Sequence, residues 1–431
     1  MTTRARELIA LDKRHLWHPY TPMQRYIEQE SPLVVVRAEG SRLYDAEGRS
    51  YVDGNASWWT ALLGHRHPRL VQALIDQVGR MEHVALAGIT HEPAVRLAQL
   101  LARVAPAGLS RVFLSDNGST AVEVALKLAL QFWSQNGRPE RTRFVALEGA
   151  FHGETLGATA LGGVEVFRRP FASVVLDCVH VPRNAAAHEH AFASLSQIVE
   201  READTLAAVV LEPVVQGAAG MRLYDPSLLA RAREVTTRHD VLLVLDEVFT
   251  GYGRTGPFWA SEHAGVTPDL CCTAKGFSGG MLPMAATLVS ERIFQGFLGA
   301  PERAFYYGHT FCGNPLGAAV ACEVLRVYHD EDILARARDK AVRLARGFEG
   351  LRELRGVEHV RTLGMIGALD LAGPAGYLSR AGALVCEAAR RRGAYLRPLG
   401  NVVYVTPPLN IPDTDLDELL HILAESIREV L

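Results

Sequence analysis

Val241-Leu242-Leu243-Val244-Leu245-Asp246-Glu247 runs five apolar residues straight into two acids. A strand with one wet face alternates apolar and polar residues. An unbroken apolar run is what a strand covered on both faces requires. Comparable runs lie on either side of it, at Arg111–Ser115, Arg143–Leu147, Ala207–Leu211 and Leu270–Thr273. Helical periodicity fills the intervals at Thr120–Trp133, His188–Glu202 and Pro226–Arg238. Such alternation predicts an α/β fold, a mostly parallel sheet with helices on both sides. Ligands of these sheets sit beyond the carboxyl ends of the strands, so the loops there are where chemistry is expected.

Beyond about residue 320 the pattern changes. Ala318–His329 and Leu334–Glu353 read as amphipathic helices, Leu363–Leu371, Ala394–Arg397 and Val402–Thr406 as strands, and Thr414–Leu431 as a closing helix. Joined by strands from residues 33–53, these suggest a smaller α+β domain. The expected division is an N-terminal segment (1–60) contributing to the small domain and the active site, a large domain (61–318), and a C-terminal small domain (319–431).

Composition narrows the function classes. With 45 basic and 48 acidic residues, 48% hydrophobic content and a net charge of −3, the chain of 431 residues has no basic stripe for nucleic acid and no polybasic membrane patch. It contains no run of about 18 apolar residues that would read as a membrane span, and Met1–Glu7 lacks the apolar core of a secretory signal. The six cysteines, at 178, 271, 272, 312, 322 and 386, show no Cys-x-x-Cys spacing. Reduced thiols in a cytoplasmic protein, with no metal site, are the expectation.

Lysine is scarce, occurring only at 13, 127, 275 and 340. Lys275 follows the apolar strand Leu270–Thr273, where partial desolvation would lower its pKa and favour a nucleophilic amine. Alone it also fits a strand-end lysine reaching for water; Lys13, Lys127 and Lys340 read as structural. Asp246 emerges from five apolar residues and needs a partner, either a neighbouring loop or the pyridine nitrogen of pyridoxal 5′-phosphate (PLP). Ser115-Asp116-Asn117-Gly118-Ser119-Thr120 follows a strand and opens a helix, with Glu123 three residues beyond Thr120. Gly118 and Ser119 could bind a phosphate there, and the same string also fits a plain capping box. Phe151 ends another strand and could stack on a ring or fill core. His65 and His67 read as a structural turn. Gly251–Gly256 matches G-x-G-x-x-G literally, but Pro257-Phe258-Trp259 follows at once and no helix is expected to open there.

In this order the strings Ser115–Thr120, Phe151–Glu154, Glu212–Val214, Asp246–Gly256, Thr273–Gly276 and Thr310–Pro315 resemble the class III, fold-type I, PLP-dependent aminotransferases over nearly the whole chain. The resemblance implies a large domain with a mostly parallel seven-stranded sheet flanked by helices, a smaller α+β domain, and a homodimer with shared active sites. Leu16–Met23, Asp53–His67, Gly88–His91 and Arg397–Gly400, with Tyr404 and Pro407-Pro408, are similar to the branch acting on 8-amino-7-oxononanoate in biotin biosynthesis. For that branch S-adenosylmethionine is the implied amino donor, with lysine or another ω-amine as alternative. The implied roles are Lys275 as Schiff-base lysine and proton shuttle, Asp246 on the pyridinium, Gly118 and Ser119 on the phosphate with Thr310 of the other subunit, Phe151 on the ring, and Glu212 ordering the site. Tyr20, Trp58, Trp59 and Gly308 would line the substrate pocket, and Arg397 would pair with a substrate carboxylate. Phe151 stands where the family often has tyrosine, and His309 where many members have proline. An NAD-dependent oxidoreductase is the alternative from another class, resting on Gly251–Gly256 alone.

Overall fold

The apolar runs become strands at the expected places in the computed structural model, which describes residues 1–182 and 188–431. After helices Thr3–His15 and Met23–Gln29 come β1 (Val35–Glu39), β2 (Arg42–Asp45) and β3 (Ser50–Asp53). Next are β4 (Leu109–Ser115), β5 (Arg143–Leu147), β6 (Cys178–Val181) and β7 (Leu206–Leu211), then the small hairpin of β8 (Val215–Gln216) and β9 (Arg222–Leu223). β10 (Leu242–Asp246), β11 (Leu270–Thr273) and β12 (Ala285–Ser290) follow. The C-terminal part adds β13 (Val357–Leu363), β14 (Ile366–Leu371), β15 (Ala394–Tyr395) and β16 (Val402–Val405).

Seven strands form the main sheet, in the order β4-β12-β11-β10-β7-β5-β6. β12 is antiparallel to both its neighbours, and the other pairings are parallel. Along β10 the side chains divide between two cores. Leu242 and Val244 pack with Ala121, Ala125 and Phe132 of the helix Gly118–Gln135. Leu243 and Leu245 pack with Phe192, Leu195 and Leu228 of His188–Glu202 and Pro226–Arg238. Helices cover both faces, as the unbroken apolar runs require.

Two smaller sheets complete the frame. β1, β2, β3 and β15 form one, with β3 and β15 parallel, so early and late parts of the chain share a layer. β13, β14 and β16 form the other. Leu363–Leu371, expected as one strand, is in fact the turn and second arm of the β13–β14 hairpin. Gly364 turns the chain at φ +54°, where a β-carbon would collide with the Thr255 carbonyl carbon. No helix among the described residues is long and apolar enough to cross a membrane.

Candidate active site

The carboxyl ends of β4, β5, β7, β10 and β11 open on one cavity of about 620 Å³. Lys275 enters it two residues after the end of β11, at the start of a short 3-10 turn, Lys275–Ser278. Its φ of +46° puts the backbone in the left-handed region that L-residues disfavour. Nζ lies 4.8 Å from the centroid of the Trp59 ring. Burial lowers the amine from 10.5 to about 8, against the opposing pull of Asp246 and Glu212. An appreciable fraction of Nζ is therefore neutral and nucleophilic near neutrality.

Asp246 is the last residue of β10 and is buried. Its Oδ2 lies 2.8 Å from His152 Nδ1, and its Oδ1 accepts the Val248 amide at 3.0 Å. Because a carboxylate only accepts, Nδ1 carries the proton in that bond. Burial opposes protonation of His152, but the hydrogen bond to Asp246 and the charges of Asp246 and Glu212 outweigh it, so its pKa moves up. Glu212, just past β7, accepts the Phe151 amide at 3.2 Å and the Gly217 amide at 2.9 Å, joining the loops after β5 and β7. Desolvation pushes its carboxyl up to about 7.

At the start of the helix Gly118–Gln135 the cap differs from the one expected. Asn117 is the N-cap, its Oδ1 accepting the Thr120 amide at 3.1 Å, while Thr120 Oγ1 accepts the Asn117 amide at 3.0 Å. Glu123 accepts instead from the Thr155 hydroxyl at 2.7 Å. Gly118 and Ser119 occupy the first two helical positions, whose amides no intrahelical carbonyl can reach. A β-carbon on Gly118 would stand 2.8 Å from Val248 Cγ1, and one on Gly153 (φ +126°) would collide with Ser119. These two glycines keep clear a cradle in which the helix terminus could hold a phosphate.

One wall of the cavity is aromatic. The Arg397 guanidinium carbon lies 3.4 Å from the Trp58 ring centroid and 5.7 Å from that of Tyr20. Tyr20 meets Trp58 edge-on at 5.6 Å and Phe167 at 5.4 Å, and its hydroxyl donates to Glu154. Arg397 forms no ion pair with a carboxylate among the described residues. Trp58 and Trp59 lie in a left-handed turn: Ala56, Ser57, Trp58 and Trp59 have φ of +45°, +45°, +61° and +75°. Left-handed geometry costs an L-residue about 1–2 kcal/mol, so the surroundings must impose it.

Of the residues singled out in the sequence, Lys275, Asp246, Gly118, Ser119, Phe151, Glu212, Tyr20, Trp58, Trp59 and Arg397 all line this cavity. Gly308 and Thr310 do not; both are exposed, on a loop tied back by His309, whose Nδ1 is 2.7 Å from Asp116 Oδ2. His152, Glu154, Phe167 and Tyr377 also belong to the cavity and escaped sequence reasoning. His152 and Glu154 sit in a string already singled out, just past the carboxyl end of a strand; Phe167 and Tyr377 carry no local signature. Gly251–Gly256 opens no helix: Tyr252 and Arg254 are buried there, and Glu247 holds the following segment through the amides of Ala260 and Ser261 at 3.0 and 2.8 Å. Gly251 and Gly253 serve packing, against Trp259 and Leu334, and the nucleotide reading loses its only support.

A mostly parallel sheet with a buried lysine, a strand-end aspartate and a helix-terminal cradle at one edge is the arrangement of a fold-type I transferase. Residues 25–427 match the aminotransferase class-III family, and the chain belongs to it. The adenosylmethionine-8-amino-7-oxononanoate aminotransferase of Geobacter sulfurreducens is 42% identical over 439 residues, covering 97% of each chain. The crystal structure of the enzyme of that name from Methanocaldococcus jannaschii superimposes with a TM-score of 0.95 at 32% identity, covering 99% of each chain. An amine transaminase from an uncultivated Pseudomonas species, solved in its PLP-bound form, gives 0.90 at 30% identity over 97% of this chain and 99% of that one.

Proposed function

We propose that this aminotransferase converts 8-amino-7-oxononanoate to 7,8-diaminononanoate in biotin biosynthesis, with S-adenosylmethionine as amino donor and PLP as cofactor. The observation that carries the reading is the pairing, within one cavity, of Lys275 and Asp246 with an arginine that stacks on Trp58 and has no carboxylate partner among the described residues. Relatives of that name along the full chain support the substrate.

Lys275 would hold the cofactor's aldehyde carbon, Asp246 its pyridine nitrogen, Gly118 and Ser119 its phosphate, and Phe151 one ring face. When bound, PLP supplies an electron sink that lets a proton leave the carbon bearing the amino group. Lys275 Nζ, largely neutral above about pH 8, is the base for that proton and returns it as an acid. His152 holds Asp246 in place through Oδ2. Arg397 binds the carboxylate of the donor and, once the donor has left, that of the acceptor, so one arginine serves both halves of a ping-pong reaction. The aromatic wall excludes water and suits a sulfonium, a purine or an aliphatic chain.

Thr310 and Gly308 act, in this reading, in the cavity of a second copy of the chain. Exposed apolar side chains near that loop support a dimer, Tyr306 at 80% and Phe311 at 59%, together with Trp17 at 86%. Phe151 removes a hydroxyl from the donor region, which makes lysine or another ω-amine the second donor to try. Purified enzyme supplied with the keto acid and S-adenosylmethionine, lysine or β-alanine is expected to form diaminononanoate with the first. Absence of that product with every donor would overturn the substrate assignment. Borohydride should fix the yellow cofactor to Lys275.

A further inference from the structure

The left-handed turn Ala56–Trp59 lies between two polar anchors that the reaction does not use. Asp53 is fully buried; its Oδ2 accepts the Ser57 amide at 2.7 Å and the Ser57 hydroxyl at 2.9 Å and lies 2.9 Å from His65 Nε2. Asn55 faces the other way. Its own carbonyl accepts the Trp59 amide at 2.8 Å, its Oδ1 accepts the backbone amide of Arg397 at 2.6 Å, and its Nδ2 donates to the Tyr404 carbonyl at 3.3 Å. One buried amide thus fixes the segment carrying Trp58 to the backbone that carries Arg397. A left-handed turn also reverses the sense in which successive side chains fan out. Trp58 lands on the Arg397 guanidinium at 3.4 Å, while Trp59 turns toward Lys275 at 4.8 Å. Four consecutive residues in a disfavoured conformation persist only where such anchors over-determine them.

The geometry points to Asn55 as a positioning residue that sets the carboxylate end of the pocket by clamping Arg397 against the Trp58 turn. It touches no reacting atom; its side-chain oxygen reaches the pocket only by way of the Arg397 backbone. The inference rests on the reading of Arg397 as the carboxylate site. Its consequence is selective: loosening Asn55 weakens recognition of a charged terminus and leaves the aliphatic and cofactor ends as they are.

Nonanoate and nonanamide share a chain and differ in one charge, and their binding to the holoenzyme is read from tryptophan fluorescence. The wild-type enzyme is expected to prefer the acid by at least about tenfold, the scale of one charge-assisted contact. Asn55→Ala is expected to bind the amide as before, lose most of that preference, and turn over the keto acid with raised KM and unchanged kcat. Asn55→Asp, which keeps the acceptor for the Arg397 amide, should restore the preference. The inference is overturned if Asn55→Ala keeps the preference, if acid and amide weaken together, or if Asn55→Asp fails where Ala fails. Should Asn55→Ala not fold, the Asp variant decides alone: preference kept supports the clamp, preference lost refutes it. A wild-type enzyme indifferent to the charge instead refutes the role given to Arg397, and the clamp with it.

Discussion

Lys275 is set apart by its surroundings more than by its chemistry. Desolvation disfavours the charged amine, so its pKa falls to about 8 and the reactive neutral form is half populated there rather than near 10.5. The rate at which the apoprotein takes up PLP, followed by absorbance, should therefore climb with pH and level off above about 8. A midpoint near 10.5 would mean a solvated Nζ. Lys275→Ala should end turnover while leaving the fold intact by circular dichroism. Asp246→Asn should cut kcat by roughly a thousandfold, because a neutral amide cannot keep the pyridine nitrogen protonated. His152→Ala, acting only through Asp246, should cost less in the same assay. Lys275 and Asp246 were legible in the sequence because each ends an apolar run that has no structural use for a charge. His152 was not, because its partner lies 94 residues away and only the sheet brings them together.

Among the elements, those legible from sequence are the ones whose burial is complete. β7 and β10 are buried at every position and read as unbroken apolar runs. β6 lies at the sheet edge and is only half buried, so no run marks it, and β12 opens with two alanines of low strand propensity. The start of a helix at Gly118–Ser119 was legible, but its capping partners were not: Asn117 and Thr120 took the roles that Thr120 and Glu123 fit equally well by spacing. Gly118→Ala should weaken PLP retention by about tenfold in equilibrium dialysis, since the new methyl meets Val248 at 2.8 Å. Adding Val248→Ala should restore part of the loss. Asn117→Ala, which removes the cap, should lower stability to denaturant by about 1 kcal/mol.

For the whole molecule the test is whether two copies share a site. In the proposed mechanism Lys275→Ala chains would lack the base, and Thr310→Asp chains would repel phosphate. Mixed dimers of the two would contain one site with both residues intact, so random mixing should return about a quarter of wild-type activity. No recovery would confine Thr310 to its own subunit. The pocket's two ends also differ in when they can exist. Asn55 and Arg397 meet across 342 residues, and β3 finds its parallel partner β15 only at the same late point. A ribosome adding about 5–20 residues per second needs roughly 20–70 s to cover that distance. The proposed cofactor cradle, built from β4 to β12, can form well before the proposed substrate site around Arg397. Throughout that interval the edge of β3 awaiting β15 is unpaired, the kind of strand edge that invites aggregation. The nascent chain should therefore be a chaperone client until its last forty or so residues emerge.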